Sequence, residues 1–260
     1  MPGDFSGELE NIGQCDHSVT REYLIFGPPG TGKTSNLARQ VCRAADKYGP
    51  NDVLVTSFSR AAAAELTGHD LPVIAEQVGT LHSCCWRALG RPRIAEVHVD
   101  EWNRDNPGLL ITPVRTQNTR MDGDDSAEED LDAAKRGDVL LQLLNRYRGL
   151  MTPHDRWPAE LRNFASRWQT YKRSHRLLDF CDLIETAIRD LAIAPGSPSV
   201  IVADEVQDLN PLQSQLIRNW GERCEYFIRG GDDDQTIYSF AGTTPKQCFI
   251  RRSHRTIRLS

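Results

Sequence analysis

Apolar residues along this chain fall into two alternating patterns. Short, nearly continuous apolar runs occur at residues 22–27 (EYLIFG), 52–58 (DVLVTSF), 75–80 (AEQVGT), 199–205 (SVIVADE) and 225–230 (EYFIRG). Segments with helical spacing stand between them, at about 34–48, from about 60, up to about 89 and around 211–220. Strands that lack polar alternation and are separated by helices belong to a parallel sheet covered on both faces. The pattern therefore predicts an α/β doubly wound core. Residues 91–175 break it, with long polar helical stretches carrying Pro, Trp and charge clusters and no convincing strand. They are expected to form a helical insertion that splits the core into a first part, 1–90, and a second part, 176–260.

Composition narrows the class. With 39% hydrophobic residues in 260, the chain can bury a sizeable core. No stretch approaches the ~20 apolar residues that span a bilayer, and MPGDFSGELENIGQ lacks the basic start of a signal peptide. No membrane is expected as a partner, and a cytoplasmic location is. The seven cysteines show no CxxC pair and no zinc spacing, so free thiols in a reducing compartment are expected, with Cys84 and Cys85 as packing residues. A net charge of −5 excludes nucleic-acid binding by overall charge, so any such site must be local. Acidic residues crowd into 122–132, whereas Arg146, Arg148, Arg156, Arg162, Arg167, Lys172, Arg173 and Arg176 follow. Such runs are either a local site or the solvated faces of surface helices.

The chemistry begins with Gly27-Pro28-Pro29-Gly30-Thr31-Gly32-Lys33-Thr34, which fits G-x-x-x-x-G-K-[ST] between an apolar strand and a helix. Glycines let successive N–H groups turn toward phosphate oxygens, and a helix N-terminus adds partial positive charge. Lys33 is then expected to reach the β/γ-phosphates and Thr34 to bind Mg²⁺. Such a loop needs a carboxylate on a neighbouring strand, and the 199–203 run leads into Asp204-Glu205. Asp204 is the candidate for holding the metal through water. Glu205 is the candidate base that orients and deprotonates an attacking water.

The run continues as Asp204-Glu205-Val206-Gln207-Asp208, and later as Gly231-Asp232-Asp233-Asp234-Gln235-Thr236-Ile237-Tyr238. These segments resemble motifs II (DExQD) and III (GDxxQxIY) of UvrD/Rep-like superfamily 1 DNA helicases. In the family's order, VTSFSRAAAAEL (55–66) resembles motif Ia, VGTLHS (78–83) motif Ib and LDFCDLI (178–184) the DFxDLL segment. The insertion resembles subdomain 1B. The resemblance implies a RecA-like P-loop fold, with ATP and Mg²⁺ as cofactors and translocation on single-stranded DNA or a single-strand/duplex junction, usually 3′ to 5′.

Carried over by position, Gln235 would sense the γ-phosphate, and Gln207 would couple nucleotide state to subdomain movement. Phe58, Arg60, Thr80, His82, Tyr238 and Phe240 would lie on the DNA face, where base stacking on aromatics is sequence-tolerant. Gln14 is the candidate adenine reader. The sequence departs from the family at Phe240-Ala241, where Trp-Arg is usual, and at Arg60-Ala61, where Asn-Lys is usual. Residues 256–260 resemble the strand that leads into motif IV. The expectation is therefore the N-terminal half of a motor, active only with a second RecA-like domain, present on another chain or lost. Two alternatives stand beside it: a truncated or vestigial ATP- and DNA-binding module without unwinding, and a P-loop ATPase of another family.

Overall fold

The computed structural model describes residues 20–28, 30–58, 71–114 and 135–232, and the backbone of 254–258. Six strands form one sheet: β1 (Arg21–Phe26), β2 (Val53–Ser57), β3 (Val78–Thr80), β4 (Val200–Asp204), β5 (Tyr226–Gly231) and β6 (His254–Arg258). Their order is β3-β2-β4-β5-β1-β6, and every neighbouring pair is parallel. Each strand end lies within two residues of the apolar run that predicts it, except the start of β3, where residues 75–77 form a 3-10 turn and the strand begins only at Val78. The last strand begins at His254, two residues earlier than expected.

Helix α1 (Lys33–Tyr48) covers one face of the sheet. It places Leu37, Val41, Ala44 and Ala45 on one stripe, three or four residues apart, against Val53, Val55, Val200, Val202 and Ile228. Leu37 and Val41 are fully buried, so Leu37→Ala would cost about 2–5 kcal/mol. Gly49, at φ 99°, ends the helix in a conformation that a side chain would strain. The opposite face carries α2 (Leu81–Ala88), α6 (Phe180–Asp190) and α7 (Pro211–Gly221). These pack Cys84, Cys85, Leu183, Ile184, Leu216 and Trp220 onto Leu54, Ile201, Ala203 and Phe227. Both adjacent cysteines are thus core residues, and burial pushes their thiols up from the usual range.

Between α2 and α6 lie α3 (Asp100–Asp105), α4 (Arg136–Gly149) and α5 (Ala159–His175). These helices share their own cluster, in which Trp102, Phe164, Trp168 and Tyr171 meet edge-on or stacked at 5.1–6.4 Å. The segment is less polar than its sequence suggests, because its aromatic residues are spread over distant positions. The acidic residues 122–132 lie outside the described residues. No helix among the described residues is long and apolar enough to cross a membrane.

Two of the predicted basic residues are neither solvated nor available to a ligand. Arg148 and Lys172 close on the N-terminus of α6, where Asp179 is the N-cap of a capping box with Asp182. Asp179, with no exposed surface, accepts from Arg148 at 2.8 and 2.9 Å, Lys172 at 2.5 Å, Trp168 Nε1 at 3.1 Å and the Asp182 N–H at 2.7 Å. Burial alone would raise its pKa, but Arg148 and Lys172 hold it below the usual carboxylate range.

Candidate active site

The loop between β1 and α1 sits at the C-terminal edge of the sheet, where open α/β sheets bind ligands. Gly30 and Gly32 adopt φ 78° and 80°, and a Cβ at either would meet nothing within 4 Å. Their requirement is therefore conformational. The first turn of α1 carries no acidic residue, which leaves its N–H groups compatible with an anion. Lys33 Nζ donates to the carbonyls of Gly27 (2.5 Å) and Pro28 (3.2 Å) and lies 3.8 Å from Asp232. Thr31 Oγ1 donates to Pro28 O at 2.7 Å and braces the loop. Pro29 lies outside the described residues.

Asp204 ends β4, two strands away from β1, with β5 between them. The last residues of β5 are Gly230 and Gly231, and their lack of side chains lets the two edges face each other. A Cβ on Gly230 would stand 2.5 Å from Leu37 Cδ1 and 2.9 Å from Asp204 Oδ1. Asp204 thus points to the α1 face. Thr34 lies one turn before Leu37 on the same side of the helix. A hydroxyl and a carboxylate are hard oxygen donors, and this pair suits Mg²⁺, which keeps several waters and uses few protein ligands. Bound there, the ion would neutralise charge on phosphate oxygens.

After Asp204 the chain turns sharply. Glu205 has φ 54° and ψ 42° and starts a 3-10 turn, Val206–Asp208. Its N–H donates to Asp204 Oδ1 at 2.9 Å. Left-handed backbone at a non-glycine residue costs about 1–3 kcal/mol and persists where the surroundings enforce it. Arg91, Met151, Arg176 and Ser197 share that conformation away from this loop, so strain alone marks no site.

Gln207, buried at 3% exposure, links the two strand ends. Its Nε2 donates to Glu205 Oε2 at 2.5 Å, and its Oε1 accepts the Asp232 N–H at 3.1 Å. A Cβ on Gly231 would fall 2.8 Å from that Oε1, so the second glycine of β5 makes room for this link. Glu205, Gln207, Asp232 and Lys33 therefore form one connected line across the sheet edge. Asp232 completes it and was singled out by no motif role. Its signal was its place in the GGD triplet at the end of an apolar run. Next to the line, burial and then the charge of Glu205 push Asp208 up to about 6.

The other predicted positions separate into two groups. Phe58 follows β2 and packs half-buried against the core, while Thr80 ends β3 in register with Ser57. The Thr80 hydroxyl caps α2 by accepting the Ser83 N–H at 3.2 Å. His82 meets Phe180 edge-on at 5.9 Å, and burial lowers its pKa to about 4, so it is neutral. Phe58 and His82 thus leave adjacent strands at the same edge. Gln14, Arg60, Gln235, Tyr238 and Phe240 lie outside the described residues.

The family model for the UvrD/REP helicase N-terminal domain matches residues 10–249. YjcD of Bacillus subtilis is 24% identical over 249 residues, covering 85% of this chain and 31% of that protein. The ATP-dependent DNA helicase UvrD2 of Mycobacterium tuberculosis is 26% identical over 254 residues, covering 85% and 36%. The ATP-dependent DNA helicase Rep of Buchnera aphidicola is 23% identical over 247 residues, covering 87% and 37%. The chain spans about a third of the length of these curated relatives.

Proposed function

Because the chain belongs to the UvrD/REP helicase N-terminal domain family, we propose that it is the ATP- and DNA-binding part of an ATP-dependent DNA helicase that works in the cytoplasm. The observation that carries this reading is the line from Lys33 through Asp232 and Gln207 to Glu205. It ties the phosphate loop to the candidate base through a buried amide that can respond to both. In this proposal Gly27 to Thr34 hold the phosphates, Thr34 and Asp204 hold Mg²⁺, and Glu205 activates water. Gln207, with Gln235, couples nucleotide to DNA, and Gln14 reads adenine.

DNA lies along Phe58, Arg60, Thr80, His82, Tyr238 and Phe240, with movement 3′ to 5′ toward a single-strand/duplex junction. Unwinding requires a second RecA-like domain, whose arginines stabilise the transferring phosphoryl group by on the order of 10³ to 10⁵ in rate. The relatives are named as ATP-dependent DNA helicases, and their additional length leaves room for such a domain. The acidic total charge requires the DNA contact to be local.

Fluorescence anisotropy with a single-stranded oligonucleotide and a blunt duplex tests the DNA assignment. The single strand should bind more tightly, with affinity falling as salt rises. Phe58→Ala should weaken it by about 1–3 kcal/mol, the worth of one stacked base. Since His82 is neutral above about pH 4, it should add no step to the affinity between about pH 5 and 8. Tighter duplex binding, or no loss in Phe58→Ala, would overturn the assignment.

A further inference from the structure

The end of β2 holds a polar group that the proposed chemistry does not yet use. Ser57 is 3% exposed, and its Oγ has no hydrogen-bond partner among the described residues. An unpartnered buried hydroxyl is uncommon in a folded protein and calls for a cause. Its position supplies one. Ser57 is the register partner of Asp204 on the adjacent parallel strand, so the two residues lie side by side at the C-terminal edge. Alternation along the strands sets the faces: Val53 and Val55 of β2, and Val200 and Val202 of β4, pack with α1, and Ser57 and Asp204 continue those two series. Both side chains therefore point to the face that carries the phosphate loop and Thr34. The hydroxyl of Thr56 has no partner among the described residues either, but it follows Leu54 onto the opposite face, away from the loop.

We infer that Ser57 positions the magnesium ion by holding one of its bound waters beside Asp204. Mg²⁺ retains most of its waters, and each bound water is a strong donor that needs an acceptor. Asp204 Oδ1 already accepts the Glu205 N–H. A neutral hydroxyl next to that carboxylate accepts from a metal-bound water without adding negative charge, and donates its own proton to the Asp204 carboxylate beside it. Residues of this kind orient metal ligands, and their loss costs about 10–100-fold in metal affinity. Ser57 touches neither the nucleotide nor the attacking water in this arrangement, so it is a positioning residue.

This inference rests on the proposed nucleotide site, and the test separates the two. Affinity for a non-hydrolysable ATP analogue is measured by calorimetry in excess Mg²⁺ and in EDTA, and the ratio of the two gives the gain due to the ion. Ser57→Ala should reduce that ratio by about tenfold and leave the affinity in EDTA and the nucleotide-free melting temperature unchanged. Ser57→Thr, which keeps the hydroxyl, should retain the ratio. Lys33→Ala should weaken binding in both buffers, and Asp204→Asn should remove most of the gain. If Ser57→Ala keeps the full gain while Lys33→Ala and Asp204→Asn behave as stated, the inference fails alone. If Lys33→Ala binds as the wild type does, the nucleotide site itself is wrong and the inference falls with it.

Discussion

The cluster around Asp179 and the cluster around Lys33 are built from the same groups, carboxylates facing cations at the ends of secondary-structure elements. They differ in how far their hydrogen-bonding capacity is used. Asp179 has no exposed surface and accepts from two cations, an indole and a backbone N–H. Arg148 divides its remaining donors between Asp182 and Glu185, and Lys172 also reaches Asp182. Lys33, by contrast, rests on carbonyls of its own loop, with Asp232 at 3.8 Å, while Ser57 Oγ and Asp208 Oδ1 at the same sheet edge have no partner among the described residues. A closed network fixes α4 and α5 to α6. An open one keeps capacity for a ligand. The Asp179 carboxylate is saturated with donors, whereas Lys33 keeps capacity, and that difference separates this structural joint from the candidate binding site.

The largest expected effect lies in the closed cluster. Asp179→Ala leaves two buried cations short of a partner and removes a helix cap, and should cost about 3–5 kcal/mol in urea unfolding. Lys33→Ala in the same assay should cost less than about 1 kcal/mol, because its present contacts are few. Equal losses for the two variants would erase the contrast.

Glu205→Gln should reverse the pattern by sparing stability and ATP binding while lowering any phosphate release by about 10²–10⁴-fold, the usual worth of a positioned base. Undiminished turnover in this variant would remove Glu205 from the chemistry.

A smaller effect comes from Glu96, which lies beside the closed cluster. Its Oε1 accepts the Phe180 N–H at 3.1 Å, but Oε2 is buried without a partner among the described residues. Burial, and then the charge of Asp179, push its pKa from 4.5 up to about 8. A carboxyl raised in the folded state favours its protonated form, so it costs stability progressively as pH rises from about 4.5 to 8. Asp179 acts in the opposite direction, since its depressed pKa contributes stability above the ordinary carboxylate value that is lost as pH falls. Glu96→Gln should therefore flatten the decline toward pH 8 and leave acid unfolding nearly as it was. An unchanged decline toward pH 8 in the variant would show that Glu96 is already ionised in the folded protein.

What the sequence made legible follows from distance along the chain. The phosphate loop needs its glycines, Lys33 and Thr34 at fixed local spacing, so eight consecutive residues were enough to name it. Asp204 and Glu205 were legible because an apolar strand ends on them. The closed cluster was not, since Arg148 and Asp179 are 31 residues apart and no local pattern pairs them. For that reason Arg148 and Lys172 were grouped with the exposed basic residues. Ser57 was missed for a related cause: a serine ending an apolar run is ordinary until the register sets it beside Asp204. The insertion looked polar because its core aromatics, Trp102, Phe164, Trp168 and Tyr171, meet only after α3 folds onto α5.

The central claim is that the loop around Lys33 is a nucleotide site. Isothermal calorimetry with Mg²⁺ and a non-hydrolysable ATP analogue, comparing the wild-type chain with Lys33→Ala, tests it most directly. Removing the cation that faces the phosphates should weaken binding by about 2–5 kcal/mol, with the fold intact by circular dichroism. Equal affinity in the two proteins would contradict the account.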